Sequence, residues 1–217
     1  MCFSATASFA ASGVLAAAGA TSWHTADKKE RVLALIPIFF AAQQFIEGLQ
    51  WVVNKPSSLS LTLGYAFLVF AFLIWPIYIP YVMERLENKK VRTRILHFLR
   101  WLGIFVAMFL LASVLINGLA IRVVDLHIVY DVSIPYTIAW IIAYVLATVG
   151  SLFVSSNRFF SWFGILSLVT VMISYIFFTA AFISVWCFFA AIMSALILVY
   201  LHIKPKHRWL RFIFKGF

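Results

Sequence analysis

Apolar residues in this chain run in long blocks separated by short polar clusters, near 4–22, 32–53, 60–83, 96–120, 135–154, 159–179 and 181–202. A helix needs ~20 mainly apolar residues to cross ~30 Å of hydrocarbon at ~1.5 Å per residue, and each block is close to that length. The first is rich in Ala and Gly and is the weakest of the set. The last two are continuous from Phe159 to Leu201. As one helix they would extend ~65 Å, about twice the hydrocarbon thickness, so the chain must reverse, and the turn is expected near 178–182. In lipid the backbone has to satisfy its own hydrogen bonds, which leaves helices as the spanning element. The pattern predicts an all-α integral membrane protein: a bundle of seven transmembrane helices over 1–203, then a basic amphipathic tail over 204–217.

Composition narrows the class without changing it. The 217 residues are 65% apolar and 11% charged, against about 45–50% and about 25% in soluble domains. Even a soluble domain of ~200 residues buries only about 70% of its unfolded-chain surface, too little to hide this much apolar side chain. With 23 Phe and 8 Trp, disorder is excluded as well.

Charge supplies orientation. Of 17 Lys and Arg, all but Lys55 and Arg122 fall in the loops after blocks one, three and five or in the tail. Under the positive-inside rule this places the N-terminus outside and the C-terminus in the cytoplasm. The opening block has no basic region before it, so it reads as a retained span, not a signal peptide. The net charge of +10 is then topogenic, with anionic lipid headgroups at the cytoplasmic face as its partner and no nucleic acid implied. The tail interleaves basic and aromatic residues (Arg208, Trp209, Arg211, Phe212) and is expected to lie in the interface.

Polar residues inside the spans carry the functional information, because an ionisable group at the bilayer centre costs at least ~2.5–3.5 kcal/mol on insertion scales. Block two holds Gln43, Gln44, Glu47, Gln50 and Trp51. Gln43, Glu47 and Trp51 share one face at i, i+4, i+8, with Gln44 on its border. Glu47 lies ~24 Å along the helix from Arg31, in the outer half of the membrane. The same level receives Cys2 and Ser4 at the chain start, Ser184, Trp186 and Cys187 at the start of the last span, and a loop bearing Arg122, Asp125, His127, Tyr130 and Asp131. Glu47, Gln43, Gln44, Trp51, Ser4, Ser184 and Trp186 are the candidate ligand-binding residues. Plainer roles also exist: glutamines as interhelical glue, aromatic residues as an interfacial belt, loop residues as solvated surface.

Two cysteines permit three accounts. Cys2 and Cys187 could form a disulfide in an oxidising periplasm, stay unrelated buried thiols, or ligate a soft metal together with His127. No lysine in the last span could carry a retinal Schiff base, and no pair of mid-membrane histidines could hold a haem; His24, His97, His202 and His207 all sit at cytoplasmic span ends. HExxH, GxSxG, P-loop and dinucleotide motifs are absent, so neither an enzyme class nor a cofactor is indicated. In block three, Pro76 and Pro80 stand four apart and should free backbone groups and bend the helix. In block one, Ser12, Ala16 and Ala20 form a small-residue stripe, which predicts a central, protein-enclosed helix.

The opening Met1-Cys2-Phe3-Ser4-Ala5-Thr6-Ala7-Ser8-Phe9, with Gln43-Gln44-x-x-Glu47-Gly48-x-x-Trp51, Trp75-Pro76 and the run Ser184-Val185-Trp186-Cys187-Phe188-Phe189-Ala190-Ala191, resembles an uncharacterised bacterial family of multi-pass membrane proteins. The resemblance spans nearly the whole chain. It implies a protein of the bacterial cytoplasmic (inner) membrane and carries over no activity. Three functions fit the residues: transport or binding of an ion or small polar solute around Glu47, an intramembrane enzyme or metal/redox protein using Cys2, Cys187 and His127, or a structural subunit of a membrane complex. Homo-oligomerisation is compatible with each.

Overall fold

The computed structural model describes residues 4–53, 55–124 and 126–206, the last four of them by backbone only. Cys2, Asp125 and the tail residues 207–217 lie outside the described residues. The chain folds as α1 (Ala5–Thr25), α2 (Arg31–Val53), α3 (Ser58–Leu68), a π-helical segment (Val69–Ile74), α4 (Trp75–Leu86) and α5 (Lys90–Asn117). A hairpin of β1 (Ala120–Val124) and β2 (His127–Asp131) follows, then α6 (Thr137–Val154), α7 (Arg158–Phe177), a 3-10 turn (Thr179–Ala181), α8 (Phe182–Ser194) and α9 (Leu196–Lys206). Six of the helical stretches are long and apolar enough to cross a membrane: 31–53, 58–86, 90–117, 137–154, 158–177 and 179–202.

The reversal within the long apolar run occurs at 178–181, where α7 gives way to the 3-10 turn. Helix α5 starts at Lys90 instead of near 96, because Arg92 spans the extra turns and donates to the carbonyls of Val154 and Ser155 at 2.9 and 2.8 Å. Those carbonyls end α6 and would otherwise lack partners.

Two expectations are corrected. Helix α1 is not enclosed: its buried line is Ser8, Ser12, Leu15, Gly19 and Ser22, while Ala16 and Ala20 face outward. It lies along α2, with Ser12 Oγ on Ala41 O at 2.8 Å and Gly19 against Ile38. Small residues do set the approach, but the helix turns Ser8, Ser12 and Ser22 inward and leaves Ala16 and Ala20 outside. The segment after α5 is also not a solvated loop. Its two strands pair antiparallel, Ile121 with Tyr130 and Val123 with Ile128. His127, Ile128, Val129 and Tyr130 are all buried against the bundle. Tyr130 stacks on Phe67 with ring centroids 4.4 Å apart. Strand pairing satisfies the backbone groups that this burial removes from water. Asp131 stays exposed, in an ion pair with Arg122.

The loops at the basic end are tied together. Lys29 Nζ donates to Asn88 Oδ1, and Asn157 Nδ2 donates to the Tyr200 hydroxyl. Glu87 closes this end, accepting from the backbone of Asn88, Lys89 and Ser156 at 2.8, 2.9 and 2.7 Å and from the Ser156 hydroxyl. Burial pushes its carboxyl up, but these four bonds outweigh burial and hold its pKa below the ordinary value. A depressed folded-state pKa stabilises the protein above the unfolded value, and that contribution disappears as pH falls through the folded one. Glu87→Gln should therefore lower the melting temperature at neutral pH, and the difference from the parent should close on acidification, as read by circular dichroism between neutral and strongly acidic buffer.

Candidate functional site

Block three is built around its prolines. In the π segment the Trp75 N–H bonds Phe70 O, five residues back. In that register Ala71 O would be served by position 76, but Pro76 has no N–H. The Tyr144 hydroxyl from α6 serves it instead, at 2.6 Å. Pro80 likewise cannot serve Pro76 O, and that carbonyl faces Gly103 of α5, where a Cβ would sit 1.8 Å from the oxygen. The wider π turn also directs the Trp75 indole toward α2, where its Nε1 donates to Gln43 Oε1 at 2.8 Å.

Helix α2 presents its polar face here. Gln43, Gln44 and Glu47 are wholly buried, and Glu47 is the only acidic side chain in the buried set among the described residues. Its carboxylate accepts from Gln44 Nε2 at 3.1 Å and from the Ser184 hydroxyl of α8. Cys187, one turn along α8, carries a buried free thiol beside the Gln43 carboxamide and within electrostatic reach of Glu47. Gln50 donates to Ser60 Oγ at 2.6 Å, joining α2 to the first turn of α3. Small residues let the elements close in: at Gly48 a Cβ would lie 2.6 Å from the Phe9 ring of α1.

The fold thus brings together Gln43, Gln44, Glu47, Ser184 and Cys187, residues from opposite ends of the chain. Trp186 lies behind Cys187, packed edge-on to Tyr144 at 5.3 Å and stacked on Phe182 at 5.6 Å. Trp51 continues the α2 face one turn on, with its buried indole N–H lacking a partner among the described residues. Ser4 acts as the N-cap of α1, accepting from the Ala7 N–H at 3.2 Å. His127 sits on β2 with its ring 5.0 Å from that of Phe178. Among the described residues, no three His, Cys, Asp or Glu side chains gather as a metal site.

Residues 1–211 match a family of unknown function, DUF6629. The chain belongs to that family. No curated protein and no solved structure matches it. One residue of the site's surroundings in this DUF6629 chain, Tyr144, is not among those the sequence singles out. Tyr144 carried a signal, being a tyrosine in the middle of an apolar block where interfacial placement cannot explain it.

Proposed function

We propose that this protein binds an ion or compact polar solute inside the membrane, at the cluster of Glu47, Gln43 and Gln44, with Glu47 exchanging a proton for it. The observation that carries the reading is the state of the two amides. Each uses one end, Gln43 through Oε1 to Trp75 and Gln44 through Nε2 to Glu47. Gln44 Oε1 is buried with no hydrogen-bond partner among the described residues, and Gln43 Nε2 has only the weakly accepting Cys187 sulfur beside it. Leaving a buried polar atom unpaired costs about 1–3 kcal/mol. A cluster serving only as a lock between helices would gain by satisfying both, whereas one donor and one acceptor beside a carboxylate suit an exchangeable guest.

Seven crossings with the N-terminus outside belong to the same reading. They are supported by the alignment of α1 along α2, from Phe9 against Gly48 to Gly19 against Ile38, and by the basic loops gathered at the opposite end from the hairpin. A bacterial cytoplasmic membrane, with anionic lipid at the basic end, is the setting that fits.

The test is proton release from purified protein in lightly buffered detergent during additions of sodium, potassium or ammonium chloride. The parent is expected to release protons in proportion to chain concentration, saturably, with one cation preferred. Glu47→Gln keeps the side-chain volume and should release none. Equal release from a folded Glu47→Gln protein would sink the reading.

A further inference from the structure

Lys55 and Arg122 are the two basic residues held by neither the basic loops nor the tail. The fold brings them to one place. Both line a pocket of about 30 Å³, walled by the link between α2 and α3 and by the two strands of the hairpin. Gln50, in the last turn of α2, and Ser60, in the first turn of α3, line the same pocket. Lys55 has no ion-pair partner among the described residues. Arg122 bonds Asp131 through Nη2, which leaves most of its N–H donors for another acceptor. Asp131 itself does not line the pocket.

The other polar groups of the pocket are buried, with Gln50 3% exposed and Ser60 5%. Gln50 Nε2 donates to Ser60 Oγ at 2.6 Å, while Gln50 Oε1 is buried without a partner among the described residues. Turning the amide over exchanges its two ends. The Ser60 hydroxyl then donates to Oε1, and Nε2 offers its hydrogens where the unpartnered oxygen stood. Every one of these groups is then satisfied once an acceptor enters the pocket. The volume holds about two waters, at the ~10–15 Å³ that each requires, so the acceptor must be small.

We propose that this pocket binds a small monovalent anion, of the size of chloride or nitrate, between Lys55 and Arg122, with the turned Gln50 amide as its buried donor. The N-terminal end of α3, where Ser57 is the cap, adds a dipole of the favourable sign. Both cations are exposed and therefore screened, so binding in the millimolar range is expected. Gln50 stands about one turn beyond Glu47 on α2, but the anion site involves no proton exchange, and Glu47→Gln protein should keep it.

The experiment follows the nuclear magnetic resonance line width of chloride with the full chain in uncharged detergent, sodium gluconate holding the ionic strength constant. The parent should broaden the line saturably. Sodium nitrate should remove the broadening, and sodium sulfate, too large for the pocket despite its greater charge, should not. Lys55→Gln alters an exposed side chain without an ion pair and should weaken chloride binding about tenfold or more, equal to ~1.4 kcal/mol. Lys90→Gln, which removes the same charge at the basic end, should change nothing. Gln50→Glu still accepts from the Ser60 hydroxyl but puts a carboxylate in the pocket, and saturable broadening should vanish. Absence of saturable broadening in the parent would overturn the proposal. Equal weakening by Lys55→Gln and Lys90→Gln, or displacement by sulfate as effective as by nitrate, would do so too, since either marks general attraction to a basic protein.

Discussion

Gly103→Ala is expected to cost about 3 kcal/mol or more, or to prevent the protein from accumulating at all. The added Cβ would stand 1.8 Å from Pro76 O and 2.8 Å from the Pro76 carbonyl carbon. Both are backbone atoms, so no side-chain rotation can relieve the overlap. The helices must part instead, and parting them disturbs the π segment that positions Trp75 on Gln43 and presents Ala71 O to Tyr144. The close approach exists because Pro80 leaves Pro76 O without its helical donor, and a Cα–H contact from a glycine is the nearest substitute lipid-buried backbone can offer. Gly13→Ala is the matched control, since a Cβ there meets nothing within 4 Å. It should be neutral or stabilise by up to ~1 kcal/mol, as alanine does in place of helical glycine. Thermal unfolding of both proteins in the same detergent, followed by circular dichroism, distinguishes them; equal melting temperatures would show that α4 and α5 do not pack through this glycine.

Glu47→Leu should be the most damaging change in the polar cluster, and for a different reason. Leucine fits the space but accepts no hydrogen bond, so the Ser184 hydroxyl and the Gln44 amide both lose their acceptor. At about 1–3 kcal/mol for each stranded group, a loss of about 2–5 kcal/mol is expected. Glu47→Gln keeps one acceptor oxygen, and the Ser184 hydroxyl can turn to accept from the new amide N–H, so it should cost much less, which is why it serves the functional test and the leucine serves the structural one. Ser184→Ala in the Glu47→Leu background should recover part of the loss by removing one stranded donor. A double-mutant cycle would read that coupling directly. Simple additivity of the two changes would mean that Glu47 and Ser184 are not bonded in the folded protein.

Both predictions concern residues that the sequence brought into view with different clarity. Glu47, Gln43 and Gln44 stood out because any polar residue in an apolar block needs a reason, and they do lie together with Ser184 and Cys187. The prolines at 76 and 80 were visible as helix-breaking residues, but the glycine receiving the freed carbonyl was not, because nothing in 96–120 marks Gly103 above any other small residue. The hairpin was missed for a related reason. Its strands are five residues each, and their burial comes from Phe67 and the α8 face, which local pattern cannot reveal. The enclosure that the α1 stripe predicts fails because small residues surround that helix on nearly every side, so the stripe alone does not fix which side packs.

What the sequence settled by itself is the class of protein and the ordering of its long apolar segments. The charge asymmetry between its two ends was equally visible, as was the turn near 178–182. These are sums over single segments: transfer of ~20 apolar side chains into hydrocarbon, or a length that exceeds the bilayer, does not depend on neighbouring helices. Tertiary structure alone decided which way each helix faces and which polar groups meet. Glu47 and Ser184 are 137 positions apart in the chain, and rotation of a helix about its axis is fixed by packing and buried hydrogen bonds, not by its hydropathy. The site is the part of this protein most dependent on those rotations.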